Sequence, residues 1–242
     1  MRVFAISDLH LSGAVDKPMG IFGEEWEGHA ERIARHWDGL VSDEDLVLIP
    51  GDISWAMTLS DALPDLAWIA QRPGFKVIVR GNHDYWWSSI SKVRSALGLG
   101  TYALQNDSMA FGRIVVCGTR GWTLKGSPDF SEHDEKIYAR EVLRLRMSLD
   151  SAAARKGEVE RRTGKQAILI SMLHYPPVVS TNTQSDFART LSEYRVDHCV
   201  YGHLHGRATS SGFTGMLGSV YYWLVSADYL DFRPKLLFEV HQ

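Results

Sequence analysis

Short apolar runs recur along the whole chain, and they limit its possible folds more than any other feature. Each run holds three to seven residues and is rich in Val and Ile, which is typical of strands buried on both faces. The eight runs are Val3–Ile6, Leu46–Ile49, Lys76–Val79, Ile114–Cys117, Ala167–Leu173, Cys199–Tyr201, Tyr221–Val225 and Leu236–Val240. The early runs alternate with segments that have helical spacing. That alternation predicts an α/β fold in which the early strands are parallel.

Three segments between the early runs predict helices. In the first, apolar residues step by three or four positions and lie on one helical face: Trp26, Ala30, Ile33, Trp37 and Leu40. The second covers Leu59–Ala70, where Pro64 leaves the first turn undefined. The third, Tyr85–Leu97, begins directly after Asp84. Together with the apolar runs, these segments give the first half of the chain an alternating order of strands and helices.

The middle and the end of the chain depart from this alternation. Gly112-Arg113 separates two apolar runs closely enough for a hairpin turn. Ser131 opens a long helix with Asp134 three residues on, in the pattern of a capping box. We interpret residues 123–165 as a helical excursion within a single domain that spans residues 1–242. The last 25 residues leave no room for a crossover helix, so they predict antiparallel strands that close the sheet.

Composition and charge exclude several classes of protein. Of the 242 residues, 45% are hydrophobic, which suffices for a sizeable core and excludes a disordered chain. The formal net charge of −3 gives no support for nucleic-acid binding through a basic surface. Two cysteines are too few for a disulfide framework or a Cys-based zinc site. Because no apolar stretch is long enough for a secretory signal or a membrane span, we expect a cytoplasmic protein with no membrane partner.

Five polar motifs follow five of the predicted strands, each at the point where the strand ends. They are Ser7-Asp8-Leu9-His10, Pro50-Gly51-Asp52, Arg80-Gly81-Asn82-His83-Asp84, His174-Tyr175-Pro176-Pro177 and Gly202-His203-Leu204-His205-Gly206. In open α/β sheets, ligands bind in the crevice beyond the carboxyl ends of the strands. We therefore expect the five motifs to converge at one edge, and this shared placement is stronger evidence than any motif alone.

The side chains of these motifs suit a pair of metal ions. Two carboxylates, one amide oxygen and five imidazoles favour Mn, Fe, Zn or Co, whereas Ca²⁺ prefers an all-oxygen shell. In Asp8-x-His10 and His203-x-His205, an extended chain would direct both side chains to the same side. The carboxylate of Asp52 could bridge two ions. Taken singly, Gly51-Asp52 and Asn82 could be ordinary turn residues, but the ordered set favours metal binding.

The ordered series Asp8-x-His10, Gly51-Asp52, Gly81-Asn82-His83-Asp84, His174 and Gly202-His203-x-His205 resembles the calcineurin-like metallophosphoesterase superfamily over residues 8–205. The resemblance implies a four-layer α/β-β/α sandwich of two mixed sheets, with a dinuclear metal site at the carboxyl edge of the strands. By that pattern, one ion is held by Asp8, His10 and His205. The other is held by Asn82, His174 and His203, and Asp52 bridges the two. His83 would face the scissile phosphate rather than bind metal.

The function implied by the resemblance is hydrolysis of phosphate mono- or diesters. Hydroxide bridging two divalent or trivalent ions (Mn, Fe or Zn) would attack phosphorus, and His83 would stabilise or protonate the leaving alkoxide. Every ligand position is filled, which argues against a metal-free scaffolding member. The alternatives are a metal-dependent nuclease of the same superfamily and a non-catalytic interaction module on the same fold.

Departures from subfamily patterns narrow the substrate class. The segment after Asp52 lacks the further Asp and Arg residues of eukaryotic-type Ser/Thr protein phosphatases. Trp55 stands where purple acid phosphatases place a metal-binding Tyr, and lipid-precursor hydrolases carry Arg at the position of His83. The expected partner is therefore a small phosphorylated substrate, with nucleotides among the candidates and nucleic acid disfavoured. The sequence decides neither the monoester or diester preference nor the oligomeric state.

Three residues outside the ligand set are candidates for substrate contact. Arg120 lies beyond a predicted strand and could clamp phosphate oxygens, against the alternative of a surface ion pair. Trp86 and Trp87 could line a pocket for an aromatic group or pack in the core. Of the three, Arg120 is the predicted substrate-binding residue.

Overall fold

The computed structural model describes residues 1–128 and 130–240, which form two compact units. The first unit comprises residues 1–103 together with the described residues after 224. The second comprises the described residues between 104 and 224. Each unit is built around a β-sheet of its own.

The sheet of the first unit has five strands. They lie side by side in the order β11 (Lys235–Glu239), β1 (Arg2–Ala5), β2 (Leu46–Ile49), β3 (Phe75–Ile78) and β4 (Thr101–Ala103). The strands β1 to β4 are parallel to one another, whereas β11 is antiparallel to β1. One helix connects each pair of consecutive parallel strands: α1 (His29–Leu40), α2 (Leu59–Ala70) and α3 (Ile90–Ala96). Two 3₁₀ turns, Met19–Phe22 and Glu24–Trp26, precede α1.

An apolar core joins these helices to one face of the sheet. Ile33 and Trp37 of α1 and Ile69 of α2 are fully buried in it. The sheet contributes Phe4, Val47, Ile49 and Ile78. Because burial of each such side chain contributes about 1.5–3 kcal/mol, this core holds the strand ends in fixed positions.

The sheet of the second unit has six strands. Their order is β5 (Ser108–Phe111), β6 (Ile114–Thr119), β7 (Ile168–Leu173), β8 (His198–Tyr201), β10 (Val220–Leu224) and β9 (Gly215–Leu217). The four central strands are parallel, and the two edge strands are antiparallel to their neighbours. Helices α4 (Glu132–Thr163) and α5 (Asp186–Glu193) and the 3₁₀ turn Gly206–Ser211 complete this unit.

The long helix α4 begins where its sequence predicts. The Ser131 hydroxyl accepts the Asp134 backbone N–H, and the Asp134 carboxylate accepts that of Ser131, so the capping box is formed. Gly164 ends the helix in the left-handed conformation with φ of 65°. The buried face of the helix carries Tyr138, Leu145, Leu149, Ala152 and Val159.

The predicted fold class is confirmed: both sheets are mixed and both carry helices in an α/β arrangement. All eight apolar runs form strands, with ends displaced by no more than two residues. The hairpin at Gly112-Arg113 is also confirmed, because β5 and β6 pair in an antiparallel register around it. Continuous apolar runs were therefore a reliable signal for strands: seven of them form parallel strands, and the eighth, Leu236–Val240, forms the antiparallel and largely exposed β11.

Two predictions about secondary structure are wrong. The third helix begins at Ile90 rather than Tyr85, because the carboxylate of Asp84 accepts the indole N–H of Trp86 and holds the chain in a turn. Trp86 and Trp87 lie in this turn and are both buried in the core. The strands of the last 25 residues do not close one sheet. β10 lies parallel to β8 in the second unit, and only β11 is antiparallel, beside β1 in the first.

Among the helices of residues 1–128 and 130–240, none has both the length and the hydropathy needed to cross a lipid bilayer.

Candidate metal centre

The first two motifs lie side by side at the carboxyl edge of the first sheet. The backbone N–H of Asp8 donates to Gly51 O at 3.0 Å, and that of His10 donates to Asp52 O at 3.1 Å. This pairing brings ligand atoms of Asp8 within 4.8 Å of those of His10 and of Asp52. His10 Nε2 and Asp52 Oδ2 are 3.8 Å apart, and all three side chains are buried. Together with Asn82 and His83, they make up what we call the first cluster.

The backbone at these residues is left-handed. The φ angles are 59° at Asp8, 44° at His10 and 51° at Asp52, and His203 in the second unit has φ of 72°. These are four of the eight non-glycine residues with positive φ in the described chain. A non-glycine residue in this region costs about 1–3 kcal/mol, and such strain collects at functional sites. The sequence-based picture of Asp8-x-His10 and His203-x-His205 as extended segments is therefore wrong, because the chain turns at Asp8, His10 and His203.

The third motif packs directly against Asp52. The backbone N–H of His83 donates to Asp52 Oδ1 at 2.8 Å. A Cβ atom at position 81 would lie 2.1 Å from Asp52 Oδ1 and 2.2 Å from Asp52 N, so only glycine fits there. Asn82 and His83 follow this contact and are half-buried. The glycine thus allows the turn after β3 to approach the turn after β2.

We expect Gly81→Ala to destabilise the first cluster, because backbone atoms cannot move aside as a flexible side chain can. The free energy of unfolding should fall by about 2–3 kcal/mol, and the Mn²⁺ bound per chain should decrease. Denaturant unfolding and elemental analysis of the purified protein measure both. Gly39→Ala in α1 is the matched control, since a Cβ there meets nothing within 4 Å and Ala favours helix. If the Gly81→Ala protein kept its normal metal content, the close approach of Gly81 to Asp52 would not be needed for metal binding, and this prediction would be wrong.

The carboxylate of Asp84 connects the turn of the second motif to the turn of the third motif, to which Asp84 itself belongs. Its fully buried carboxylate accepts the backbone N–H groups of Gly81 (2.7 Å), Ile53 (2.8 Å) and Ser54 (3.2 Å). The indole N–H of Trp86 donates to the same carboxylate at 2.9 Å. Burial raises the pKa of Asp84, and the three backbone donors oppose that rise. All four partners are donors, so the carboxylate acts as an acceptor that holds both turns.

Aromatic rings surround the imidazoles of the first cluster. The Trp55 ring stacks on His10, with centroids 4.6 Å apart and an interplanar angle of 18°, and lies 4.6 Å from the His83 ring. Lys17 Nζ sits 3.3 Å from the Trp55 ring centroid, in cation–π geometry. Trp55 therefore fixes the orientation of two candidate site residues. The sequence analysis noted Trp55 only as a departure from the pattern of purple acid phosphatases. Its position three residues after Asp52 was the signal that could have placed it near the site.

The second unit holds a cluster of its own, formed by His174, His203 and His205. His174 follows β7 and is fully buried, while the other two are half-buried. His203 Nδ1 lies 3.2 Å from His174 Nε2. Two nitrogens that bind one ion at about 2.0–2.1 Å are about 3.0–3.4 Å apart, so this pair fits a shared metal. His205 has extended backbone and begins the turn Gly206–Ser211.

Arg120 supports the second cluster through its backbone. Its carbonyl oxygen accepts the N–H groups of His174 and Tyr175, both at 3.0 Å. Its guanidinium lies 3.6 Å from Glu141 Oε1 and 4.5 Å from the centre of the Trp122 ring. The Glu141 carboxylate is fully buried. The predicted contact of Arg120 with substrate remains a prediction, and the side chain already balances a buried negative charge.

The donor chemistry of both clusters fits metal binding. The first offers two carboxylates, an amide and an imidazole from its predicted ligands, and the second offers three imidazoles. Mixed oxygen and nitrogen donors suit Mn, Fe or Zn better than Ca²⁺. Each unit therefore presents candidate ligands for a metal ion at the ends of its strands.

Comparison with known proteins identifies the sequence family. The model of the calcineurin-like phosphoesterase family matches residues 1–207. The gene 66 protein of Mycobacterium phage L5 is 37% identical over 78 residues, which cover 32% of this chain and 37% of that protein. The gene 66 protein of Mycobacterium phage D29 is 39% identical over 85 residues, which cover 34% and 40%. The matched segment thus spans less than half the length of either relative.

Solved structures show a related fold. A phosphopantetheinyl hydrolase from Mycobacterium tuberculosis gives a TM-score of 0.50 at 16% identity, covering 100% of this chain and 98% of that chain. The protein TT1561 of Thermus thermophilus gives a TM-score of 0.54 at 14% identity, covering 97% of each chain. At these identities the likeness concerns the fold alone.

Proposed function

Because the chain belongs to the calcineurin-like phosphoesterase family, we propose that it is a metal-dependent phosphoesterase that hydrolyses phosphate mono- or diesters at a dinuclear centre. The observation that carries this proposal is that Asp8, His10 and Asp52 are buried close together. Backbone hydrogen bonds join the turn that carries Asp8 and His10 to the turn that carries Asp52, and all three residues have left-handed φ angles. Buried carboxylates are costly unless they are paired or bind cations, and a metal pair would balance them.

We assign the ligands according to the family pattern. One ion would be held by Asp8, His10 and His205, and the other by Asn82, His174 and His203. Asp52 would be a ligand shared by the two ions. The assignment is supported by the 3.2 Å separation of His174 and His203 and by the proximity of Asp8, His10 and Asp52.

The residues around the ions perform the steps that the protein itself controls. When bound, the two ions (Mn, Fe or Zn) supply an activated water and stabilise charge on the phosphate oxygens. Asp52 provides negative charge and holds the His83 backbone. The half-exposed His83 imidazole, oriented by Trp55, donates a proton to the leaving oxygen. Phosphoryl transfer of this kind requires no Ser or Cys nucleophile.

A substrate panel tests the proposed function. The Mn²⁺-loaded protein is given p-nitrophenyl phosphate, bis-p-nitrophenyl phosphate, 2′,3′-cyclic nucleotides, single-stranded DNA and a phosphopantetheinyl ester. The last compound is included because one protein of the same fold is a phosphopantetheinyl hydrolase. We expect hydrolysis of at least one small ester and none of DNA. Cleavage of DNA alone would favour the nuclease alternative, and a protein that binds no metal would favour the interaction module.

We propose that this activity is cytoplasmic. Cys117 and Cys199 are buried, and neither forms a disulfide. Burial raises the pKa of Cys117 to about 12, so its thiol is an inert core residue at neutral pH. Two such thiols suit a reducing compartment, where small phosphorylated metabolites are the expected substrates.

A further inference from the structure

A cleft in the second unit borders the second cluster. Its volume is about 580 Å³, within the range of sites for small organic molecules. His203 and Tyr175 are among its lining residues, and the segment 123–128 and the turn 179–182 supply most of the others. If the phosphate of an ester binds at the metal centre, the alcohol part of the ester must lie close to the metal ligands. The cleft provides such a place beside His203.

The shape of the cleft is fixed by hydrogen bonds within its walls. Val179 N donates to Asn182 O at 3.1 Å and Asn182 N donates to Val179 O at 2.9 Å, which closes the turn. Ser180 N donates to Ser211 O at 2.9 Å, and Asn182 Nδ2 donates across to Lys125 O at 3.3 Å. A cleft with walls tied in this way loses little entropy when a ligand binds.

The lining selects a neutral ligand. Among the described lining residues, Lys125 is the sole ammonium or guanidinium, and no carboxylate is present. Lys125 Nζ is already 2.5 Å from Glu135 Oε1 and 5.0 Å from the centre of the Tyr138 ring. An additional phosphate or carboxylate on the ligand would have to displace Glu135. The cleft is therefore poorly suited to a second anionic group.

The lining also combines apolar surface with hydroxyl groups. Leu124, Val179 and Leu204 offer apolar contact. The hydroxyls of Thr123 and Thr181 have no hydrogen-bond partner within residues 1–128 and 130–240, so both are available to a ligand. A plain alkyl or aryl group would bury these hydroxyls unpaired at a cost of about 1–3 kcal/mol each. A flat apolar ring joined to a hydroxylated sugar would satisfy both kinds of surface.

We propose that this cleft is a subsite for the nucleoside part of a nucleotide substrate. The proposal rests on the proposed function, because it is the metal-binding role of His203 that would place the phosphate beside the cleft. Hydroxyls of the sugar pair with Thr123 and Thr181, and the base packs against Leu124, Val179 and Leu204. Thr123 and Thr181 are then specificity-determining residues.

A binding experiment tests the site without relying on catalysis. Adenosine is added to the full-length protein carrying ¹³C-labelled Leu and Val methyl groups, with Mg²⁺ in place of paramagnetic ions. We expect chemical-shift changes at the methyls of Leu124, Val179 and Leu204. The double variant Thr123→Val, Thr181→Val should weaken adenosine binding about tenfold, as expected for two lost hydrogen bonds. Ser180→Ala, in the same turn but outside the lining, should bind adenosine normally.

Kinetics with Mn²⁺ then separates the cleft from the proposed function. The double variant should raise KM about tenfold for 5′-AMP, whose ribose keeps both its 2′- and 3′-hydroxyls, with less than about a twofold effect on p-nitrophenyl phosphate, which carries no sugar hydroxyls. Equal effects on both substrates, or adenosine shifts confined to other methyls, would overturn the proposal. Adenosine binding in the cleft without hydrolysis of any ester would overturn the proposed function and the subsite role, leaving a nucleoside-binding site.

Discussion

Asp52→Asn should lower kcat/KM for the best ester substrate at least about 1,000-fold, which corresponds to about 4 kcal/mol of lost transition-state stabilisation. Asp52 is buried beside Asp8 and His10, and its carboxylate is the proposed bridge between the two ions. The amide keeps the shape of the side chain and can still accept the N–H of His83. Because mainly the charge is lost, metal content should fall while the fold persists. Elemental analysis and steady-state kinetics at saturating Mn²⁺ measure the two effects.

Asp45→Asn is the matched control for this experiment. Asp45 is equally buried but lies just before β2, at the opposite end of the strand from Asp52, where it pairs with Arg2. The hydrogen bonds and charge of Arg2 lower the pKa of Asp45, so its replacement should cost stability. Metal content and kcat/KM should change less than about twofold. If Asp45→Asn lowered metal content and kcat/KM as much as Asp52→Asn, the loss would follow from removing any buried charge next to β2. The proposed role of Asp52 as the bridging ligand would then be wrong.

His83→Ala separates proton transfer from metal binding. We expect kcat to fall about 100-fold or more, in the range of general acid catalysis, with metal content unchanged. A substrate with a good leaving group, such as a p-nitrophenyl ester, should be affected less than an alkyl ester. If His83→Ala lost as much metal as Asp52→Asn, the assignment of His83 as the proton donor would be incorrect.

Strand positions could be predicted because a strand buried on both faces is encoded as a continuous apolar run. The predicted run Leu46–Ile49 matches β2 residue for residue. The strands β4 and β9 escaped prediction because each has three residues, Thr101–Ala103 and Gly215–Leu217, and neither is an apolar run. β4 and β9 form because the backbone groups of β3 and β10, respectively, are available to pair with them. The eight-residue helix α5 is too short for its periodicity to be distinctive, although Ser185 caps it.

The proximity of Asp8, His10 and Asp52 was predictable from the sequence, but their backbone geometry was not. Strand-end motifs mark where polar side chains meet, so Asp8, His10 and Asp52 could be placed together from the sequence. Their left-handed φ angles could not be foreseen, because Asp and especially His carry no glycine-like signal for that conformation. The stacking of Trp55 on His10 joins residues 45 positions apart and depends on the folded core. The local sequence pattern indicates the candidate ligands, whereas long-range packing determines how their side chains are oriented.

Asp84→Ala should cause the largest loss of stability among variants near the site. The substitution leaves the N–H groups of Gly81, Ile53 and Ser54 and the indole N–H of Trp86 without their acceptor in a fully buried position. Unpaired buried donors cost about 1–3 kcal/mol each, and partial relaxation would reduce the sum. We therefore expect the free energy of unfolding to fall by about 3–5 kcal/mol, measured by urea denaturation of the metal-free protein.

Asp84 should also act on metal affinity, because it joins the turn that carries Asp52 to the turn that carries Asn82 and His83. At a temperature where Asp84→Ala remains folded, Mn²⁺ affinity should fall about 10- to 100-fold, as for other residues that orient metal ligands. Trp86→Phe removes only the indole donor and provides a graded control, with a loss of about 1 kcal/mol and near-normal affinity. If Asp84→Ala unfolded more easily but bound Mn²⁺ as tightly as the unaltered protein, the carboxylate would support the core without positioning the metal ligands.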